Sequence, residues 1–134
     1  MSTDPLDKLS LFRLPQLDAS FFSLILESIS DPVFVKDDQH RWVYLNQAFC
    51  NFVGHSKEEL LGKSDYDFLP AEQADIFWKK DDQTFATGAT NRNIEKITGA
   101  DNRLSIITTE KSILADGRGN KFLLGIIRDI TDTS

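Results

Sequence analysis

The sequence predicts one α+β domain: a five-stranded antiparallel sheet whose helices are gathered in a single crossover, preceded by an amphipathic N-terminal helix. Three observations carry this. Two short strand-like runs, residues 33–36 and 42–45, are separated by Asp37-Asp38-Gln39-His40, which reads as a hairpin turn. Helical patterns then occupy the middle of the chain. The last third is all strand, residues 93–98, 104–114 and 121–130, joined by Gly- and Asn/Asp-rich turns in a meander. With 134 residues and 40% hydrophobic content, the chain can bury one core.

Residues 1–16 hold scattered leucines and two prolines, Pro5 and Pro15, and read as a loose arm with at most a helical turn. Residues 17–29 make a better helix, capped by Asp18 or Ser20 and stopped by Asp31-Pro32. Leu17, Phe21, Leu24, Ile25 and Ser28 share one face, while Phe22, Leu26 and Ile29 form a second. That is more apolar surface than one packing partner covers. Residues 17–30 are therefore expected to form a dimerisation helix, with Phe21, Phe22, Ile25, Leu26 and Ile29 in a homodimer interface.

In the crossover, Asn46 can cap a helix over 47–53 that ends at Gly54. Ser56 and Glu59 form a capping box for a second, 57–61, closed by Gly62. A polar and aromatic connector, SDYDFLP, leads to Pro70, expected as the first residue of a helix running through 71–87 to Gly88. The run Phe122–Ile127 is almost continuously apolar and too short for a membrane span, which predicts a central strand covered on both faces.

The motifs DPVFVKD (31–37), YLNQAF (44–49), EELLGKSDYDFLP (58–70), DDQTFATG (81–88) and GIIRDIT (125–131) together resemble the PAS domain family. The resemblance covers roughly residues 26–131 and implies a core over 31–131 with sheet order 2-1-5-4-3, the last strand in the middle. It also implies a sensory or interaction module feeding a C-terminal output domain, commonly a histidine kinase or a cyclic-dinucleotide enzyme. Residues 132–134 would begin the linker to that domain. No kinase signature is present, so the chain itself is expected to be catalytically silent.

Cofactors are narrowed by subtraction. Haem-binding members use a histidine on the long helix, which has none. Thiol-adduct flavin members need a cysteine in the connector, whereas Cys50, the single cysteine, lies a helix earlier and reads as a small buried hydrophobe. His40 and His55 read as solvated loop residues. Neither metal-ligand spacing nor a phosphate-cradling glycine loop is found. The cofactor is left unknown.

What remains is a set of oddly placed charges. On the helix 71–87, Ala74, Phe77, Trp78 and Phe85 define the buried face, and Asp81 falls within that arc. Lys36, Glu95 and Lys111 are charges that interrupt runs otherwise typical of strands. With Tyr66 and Trp78 they form the candidate set for a ligand pocket or an internal ion-pair network, two readings that overlap. Arg92 and Lys96 read as solvated strand edge. At the exit, the resemblance assigns Asp129, Ile130 and Thr131 to the signal junction. Asp129 is expected to pair with Arg128 or Arg118, and Thr131 to cap the outgoing helix.

A net charge of -6 argues against nucleic-acid or anionic-membrane binding. One cysteine and no leader or long apolar stretch point to the cytoplasm. Three function classes follow: a ligand-sensing module, a ligand-free module that dimerises and relays, and an isomerase-like enzyme using Asp81 or Asp65 as base with Tyr66 or Tyr44 as donor. The third has no supporting motif, and the sequence stops at an apparent helix cap, as a fragment of a longer protein would.

Overall fold

The computed structural model describes residues 18–131. The sequence expectations for 1–17 and 132–134, including the arm, Leu17 and the linker, lie outside the described residues. Helix α1 spans Ala19–Ser28, a turn shorter than the pattern suggests, because Asp18 accepts the Phe21 amide and fixes the start. Strands β1 (Val33–Asp37) and β2 (Trp42–Leu45) form the first hairpin. Helices α2 (Gln47–Val53) and α3 (Lys57–Leu60) follow, with the Asn46 cap and the Ser56/Glu59 capping box both formed. A 3-10 turn, Asp65–Asp67, precedes the long helix α4, Ala71–Thr87. Pro70 stands one position earlier than expected, as the cap residue with extended backbone (ψ 141°). Strands β3 (Asn91–Thr98), β4 (Leu104–Ala115) and β5 (Lys121–Asp129) complete the sheet.

The sheet order is β2-β1-β5-β4-β3, antiparallel throughout, with β5 between β1 and β4. Its inner face carries the core. Leu123 and Ile127 are buried under the helices with Ile107, Ile97, Phe34, Trp42 and Phe77. The outer face differs from the expectation of a strand covered on both sides. There Leu124 and Ile126 are half-buried and Ile94 and Ile106 exposed, so β5 is fully covered on its inner face alone among the described residues. Apolar residues on both faces of a strand show that both faces avoid water, not that one chain supplies both covers.

Asn46 does more than cap α2. Its side-chain oxygen accepts the amides of Val33 and Phe49, and its nitrogen donates to the carbonyls of Leu26, Ile29 and Asp31. One fully buried side chain thus ties the end of α1 to the start of β1 and of α2. Glu27 of α1 adds a further tie, accepting the Gln47 amide and the Lys57 ammonium, but none of the helix residues is buried, and Phe22 and Leu24 are 51% and 68% exposed.

Candidate functional site

The inner face of the sheet presents two lysines to the core. Alternation along β1 puts Phe34 and Lys36 on the same side, and alternation along β4 does so for Ile107, Thr109 and Lys111. Lys36 and Lys111 are 2% and 1% exposed, so each ammonium needs an anion. Asp81 serves both. One turn beyond Phe77 on the buried face of α4, it is fully buried, with Oδ2 at 2.7 Å from Lys36 Nζ and Oδ1 at 2.9 Å from Lys111 Nζ. Lys36 gains a second carboxylate from Asp65, at 2.5 Å. Lys111 lies 3.8 Å from Glu95 Oε1. Aromatic rings surround both ammonium groups, those of Phe34 and Trp42 at 5.3 and 5.9 Å from Lys36 and that of Phe77 at 5.6 Å from Lys111.

The electrostatics follow from this packing. Burial alone would push the Asp81 carboxyl up, but Lys36, His40 and Lys111 together hold it far below the usual carboxylate range. Burial would likewise lower Lys36, and the fields of Asp65 and Asp81 reverse the direction, leaving it raised. Glu95 goes the other way. Burial pushes its carboxyl up, against the opposing pull of Lys111 and the Thr109 hydroxyl. Beside the cluster lies a cavity of about 20 Å³, enough for roughly one water molecule, lined by Phe34, Lys36, Trp42, Asp65, Thr109 and Lys111 among others. Several buried polar atoms there complete no hydrogen bond of good geometry among the described residues: Lys111 Nζ, Asp81 Oδ1, Trp42 Nε1, Thr109 Oγ1 and both Glu95 oxygens.

The sequence-derived set therefore divides. Lys36, Asp81, Glu95 and Lys111 meet in one cluster. Trp78 stands a layer outside, half-buried, its indole stacked on His40. Tyr66 does not belong to the buried cluster. It is 44% exposed, and its hydroxyl donates to Asp75 on the solvent side of α4, because the 3-10 turn directs Asp65 inward and its neighbour outward. Two residues were not placed in the cluster by the sequence reading, although Asp65 was named as a candidate base. Asp65 lies in a connector with no periodicity to reveal its direction, although two buried lysines ask for more than one strong anion. His40 is corrected outright: it is no solvated loop histidine. It is buried, and its ring nitrogens face Asp81 and Asp82. His55 does sit towards solvent, beside Glu59, and Cys50 is buried, its thiol pushed up by that burial. No group of three or more His, Cys, Asp or Glu side chains is arranged to hold a metal among the described residues.

At the strand exit, Asp129 pairs with neither Arg128 nor Arg118. Successive side chains on β5 point to opposite faces, so Arg128 turns to Asp31 at 3.5 Å. Arg118 belongs to the β4–β5 turn, at the other end of a nine-residue strand about 30 Å long. Asp129 instead accepts the Thr131 amide and hydroxyl, and Arg103 approaches it at 3.9 Å. Thr131 is held to the start of β4, where its hydroxyl accepts the Ile106 amide, and Ile130 donates to the Ile106 carbonyl. A Thr131 cap on a following helix would fall beyond the described residues.

The profile of the PAS fold matches residues 26–134, most of the chain. The chain belongs to the PAS family. An uncharacterised Sinorhizobium fredii protein, y4lL, is 33% identical over 83% of this chain and 14% of its own length. A Vibrio cholerae diguanylate cyclase is 29% identical over 84% of this chain and 36% of its own. This PAS domain thus spans well under half the length of these relatives. Among solved structures, a VqmA–ligand–DNA complex from Vibrio cholerae superposes with a TM-score of 0.76 at 24% identity, covering 89% of this chain and 54% of that one. A PAS domain from a two-component sensor histidine kinase gives 0.65 at 19% identity, covering 82% and 94%. No helix among the described residues is long and apolar enough to cross a membrane.

Proposed function

We propose that this PAS domain is the cytoplasmic sensory module of a longer signalling protein, in which the buried charge cluster reads a compact polar ligand and β5 carries the reading out. The supporting observation is a set of buried polar atoms on the wall of a small cavity, Trp42 Nε1, Thr109 Oγ1 and Lys111 Nζ, that complete no hydrogen bond of good geometry, although Lys111 is ion-paired with Asp81. Such atoms are costly, and a bound molecule that both donates and accepts would complete them. The space admits about one water as it stands, so an organic ligand would enter by displacing it and shifting the aromatic lining. A small polar molecule carrying both hydrogen-bond donors and acceptors, such as an amino acid, has the required chemistry. Asp65 and Asp81 already hold lysines, which leaves the isomerase reading without a free base beside room for a substrate. The output domain is expected to be a diguanylate cyclase, as in the Vibrio relative, or a histidine kinase, as in the structural neighbour. The DNA in the VqmA complex is not carried over, since a net charge of -6 opposes phosphate binding.

The ligand-free alternative rests on a different observation. Each buried lysine already has a carboxylate within 3 Å, so the cluster could be a purely structural network that stiffens a relay.

Either reading includes a homodimer. Helix α1 presents Phe22, Leu24 and Ile25 to solvent, and the outer sheet face adds Ile94 and Ile106. A second copy would cover both. Phe22→Glu is expected to shift the sedimentation of the chain from dimer to monomer while its circular dichroism stays unchanged. Unaltered sedimentation would remove α1 from the interface.

The relay is assigned to Asp129, Ile130 and Thr131, where β5, the start of β4 and the outgoing chain are tied together. A coupling of roughly 1–3 kcal/mol would change output several-fold or more. In the full-length protein, Asp129→Ala is expected to leave the PAS domain folded and to flatten the response of the output activity to stimulus. A mutant that responds as fully as wild type would place the relay elsewhere.

A further inference from the structure

His40 stands between the buried cluster and water. It lies in the β1–β2 turn with φ +65°, a left-handed conformation that residues other than glycine adopt infrequently. Its ring lies flat on Trp78, with centroids 3.9 Å apart and planes 4° from parallel. Nε2 is hydrogen-bonded to Asp82 Oδ1 at 2.8 Å, while Nδ1 faces Asp81 Oδ2 at 3.5 Å, an ion-pair distance at which it completes no hydrogen bond of good geometry. Both ring nitrogens are therefore directed at carboxylates, one fully buried and one 67% exposed on its side chain. A neutral imidazole has one N–H and one lone pair, so one of the two carboxylates would meet a lone pair. Only the imidazolium offers two donors.

We propose that His40 is a proton-operated latch, tying the β1–β2 turn to α4 through Asp81 and Asp82 while it carries its second proton, and releasing the turn on the surface side of the charge cluster when it loses it. This goes beyond the sensory reading and does not depend on whether a ligand is found.

The charges around His40 support the assignment. From α4 come Asp81 and Asp82. Lys36 on β1 shares Asp81 Oδ2, and Lys111 on β4 takes Asp81 Oδ1. Within the turn, the Asp37 carboxylate is already occupied by Arg41 and by the Gln39 and Arg41 amides, while Asp38 and Lys121 line an open surface hollow beside Asp82. Lys36, Lys111 and His40 stand against Asp65, Asp81 and Asp82, with Glu95 beyond Lys111. Proton loss at His40 removes one of the positive charges set against these carboxylates. Burial alone would lower the imidazole, and Asp81 and Asp82 reverse that, so His40 stays protonated above the ordinary histidine range. The sign follows: its stabilisation is complete below the ordinary value and disappears as pH rises through the higher, folded one.

The chain has two histidines, so long-range proton–nitrogen NMR of the imidazoles resolves the question. Signals are assigned by the loss of one ring in His55→Gln or in His40→Gln, whichever folds. His40 should show both nitrogens protonated at neutral pH, with a midpoint above the ordinary imidazole value that Asp82→Asn lowers. Amide exchange supplies the second readout. Protection at His40 and Arg41, whose amides donate to the Asp37 carbonyl and carboxylate, should fall several-fold once pH passes that midpoint. A His40 that holds a single proton at neutral pH would overturn the proposal. So would turn protection equal on both sides of the midpoint, which would make the contact a static ion pair.

Discussion

Replacing Asp81 by alanine is expected to cost the fold about 3–5 kcal/mol, because it leaves buried cations without their anion. Asp81 is fully buried and lies within 3 Å of both Lys36 and Lys111, so no water replaces its charge. Lys36 keeps Asp65, which limits the loss on that side; Lys111 keeps Glu95 alone, at 3.8 Å. The internal control is Glu110→Ala. Glu110 pairs with Arg92 at 3.5 Å on the exposed face of the sheet, where such a pair contributes at most about 1 kcal/mol. Urea titration of both variants at neutral pH, with the slope checked for constancy, measures the difference. Equal and small losses would mean that the Asp81 cluster behaves as a surface network.

The second large effect is steric. Gly125 lies in the middle of β5, between Phe34 of β1 and Lys111 of β4 in the sheet register. A Cβ added there would fall 2.1–2.6 Å from three atoms of the Phe34 ring. That ring is buried against Phe49 at 5.5 Å between centroids and lines a cavity with space for one water, so it has little room to swing away. Gly125→Ala is therefore expected to destabilise by about 1–3 kcal/mol, the range for overpacking a filled core. Adding Phe34→Leu should recover part of that loss, since the two positions are in direct contact and their effects are not additive. A double mutant as destabilised as the sum of the singles would show that the strain lies elsewhere.

How much of this was legible in the sequence depends on whether a residue sits in a periodic element. Strand and helix positions read well. The phase of α4 put Asp81 on the buried face, and Lys36 and Lys111 stood out as charges at positions that alternate with apolar residues on the same strand face. The elements themselves agree to within a residue or two at their ends, because caps such as Asn46, Ser56 and Gly88 mark them locally. Positions in connectors did not read. Nothing in SDYDFLP says that Asp65 turns inward and Tyr66 outward, and a histidine in a hairpin turn carries no sign that its backbone is left-handed and its ring lies over Trp78. The partner of Asp129 failed for a related reason: proximity in sequence suggested Arg128, whereas strand alternation sends the two side chains to opposite faces and Arg103 approaches from the neighbouring strand's start.

On the proposed function, the placement of charge would couple recognition to output. The cluster joins β1, the 3-10 turn, α4, β3 and β4 beside one cavity, and β5 runs through the middle of the sheet to the tied exit at Asp129 and Thr131. A ligand that shifts Lys111 or Phe34 would press on β5 at Gly125, where there is no side chain to absorb the movement.

The measurement that tests this account most directly is thermal unfolding of the purified chain with a panel of free amino acids and other small molecules that carry both donors and acceptors, run on the wild type and on Thr109→Val. That substitution removes an unpartnered hydroxyl from the cavity wall at nearly constant volume and leaves the ion pairs in place. A recognition site predicts that at least one compound raises the unfolding temperature of the wild type, increasingly and saturably with concentration, and does so less for Thr109→Val. If no compound moves the wild type, the cluster is structural and the domain works as a relay without a ligand; if both proteins respond alike, the compound binds away from this cavity and the cluster is not the recognition site.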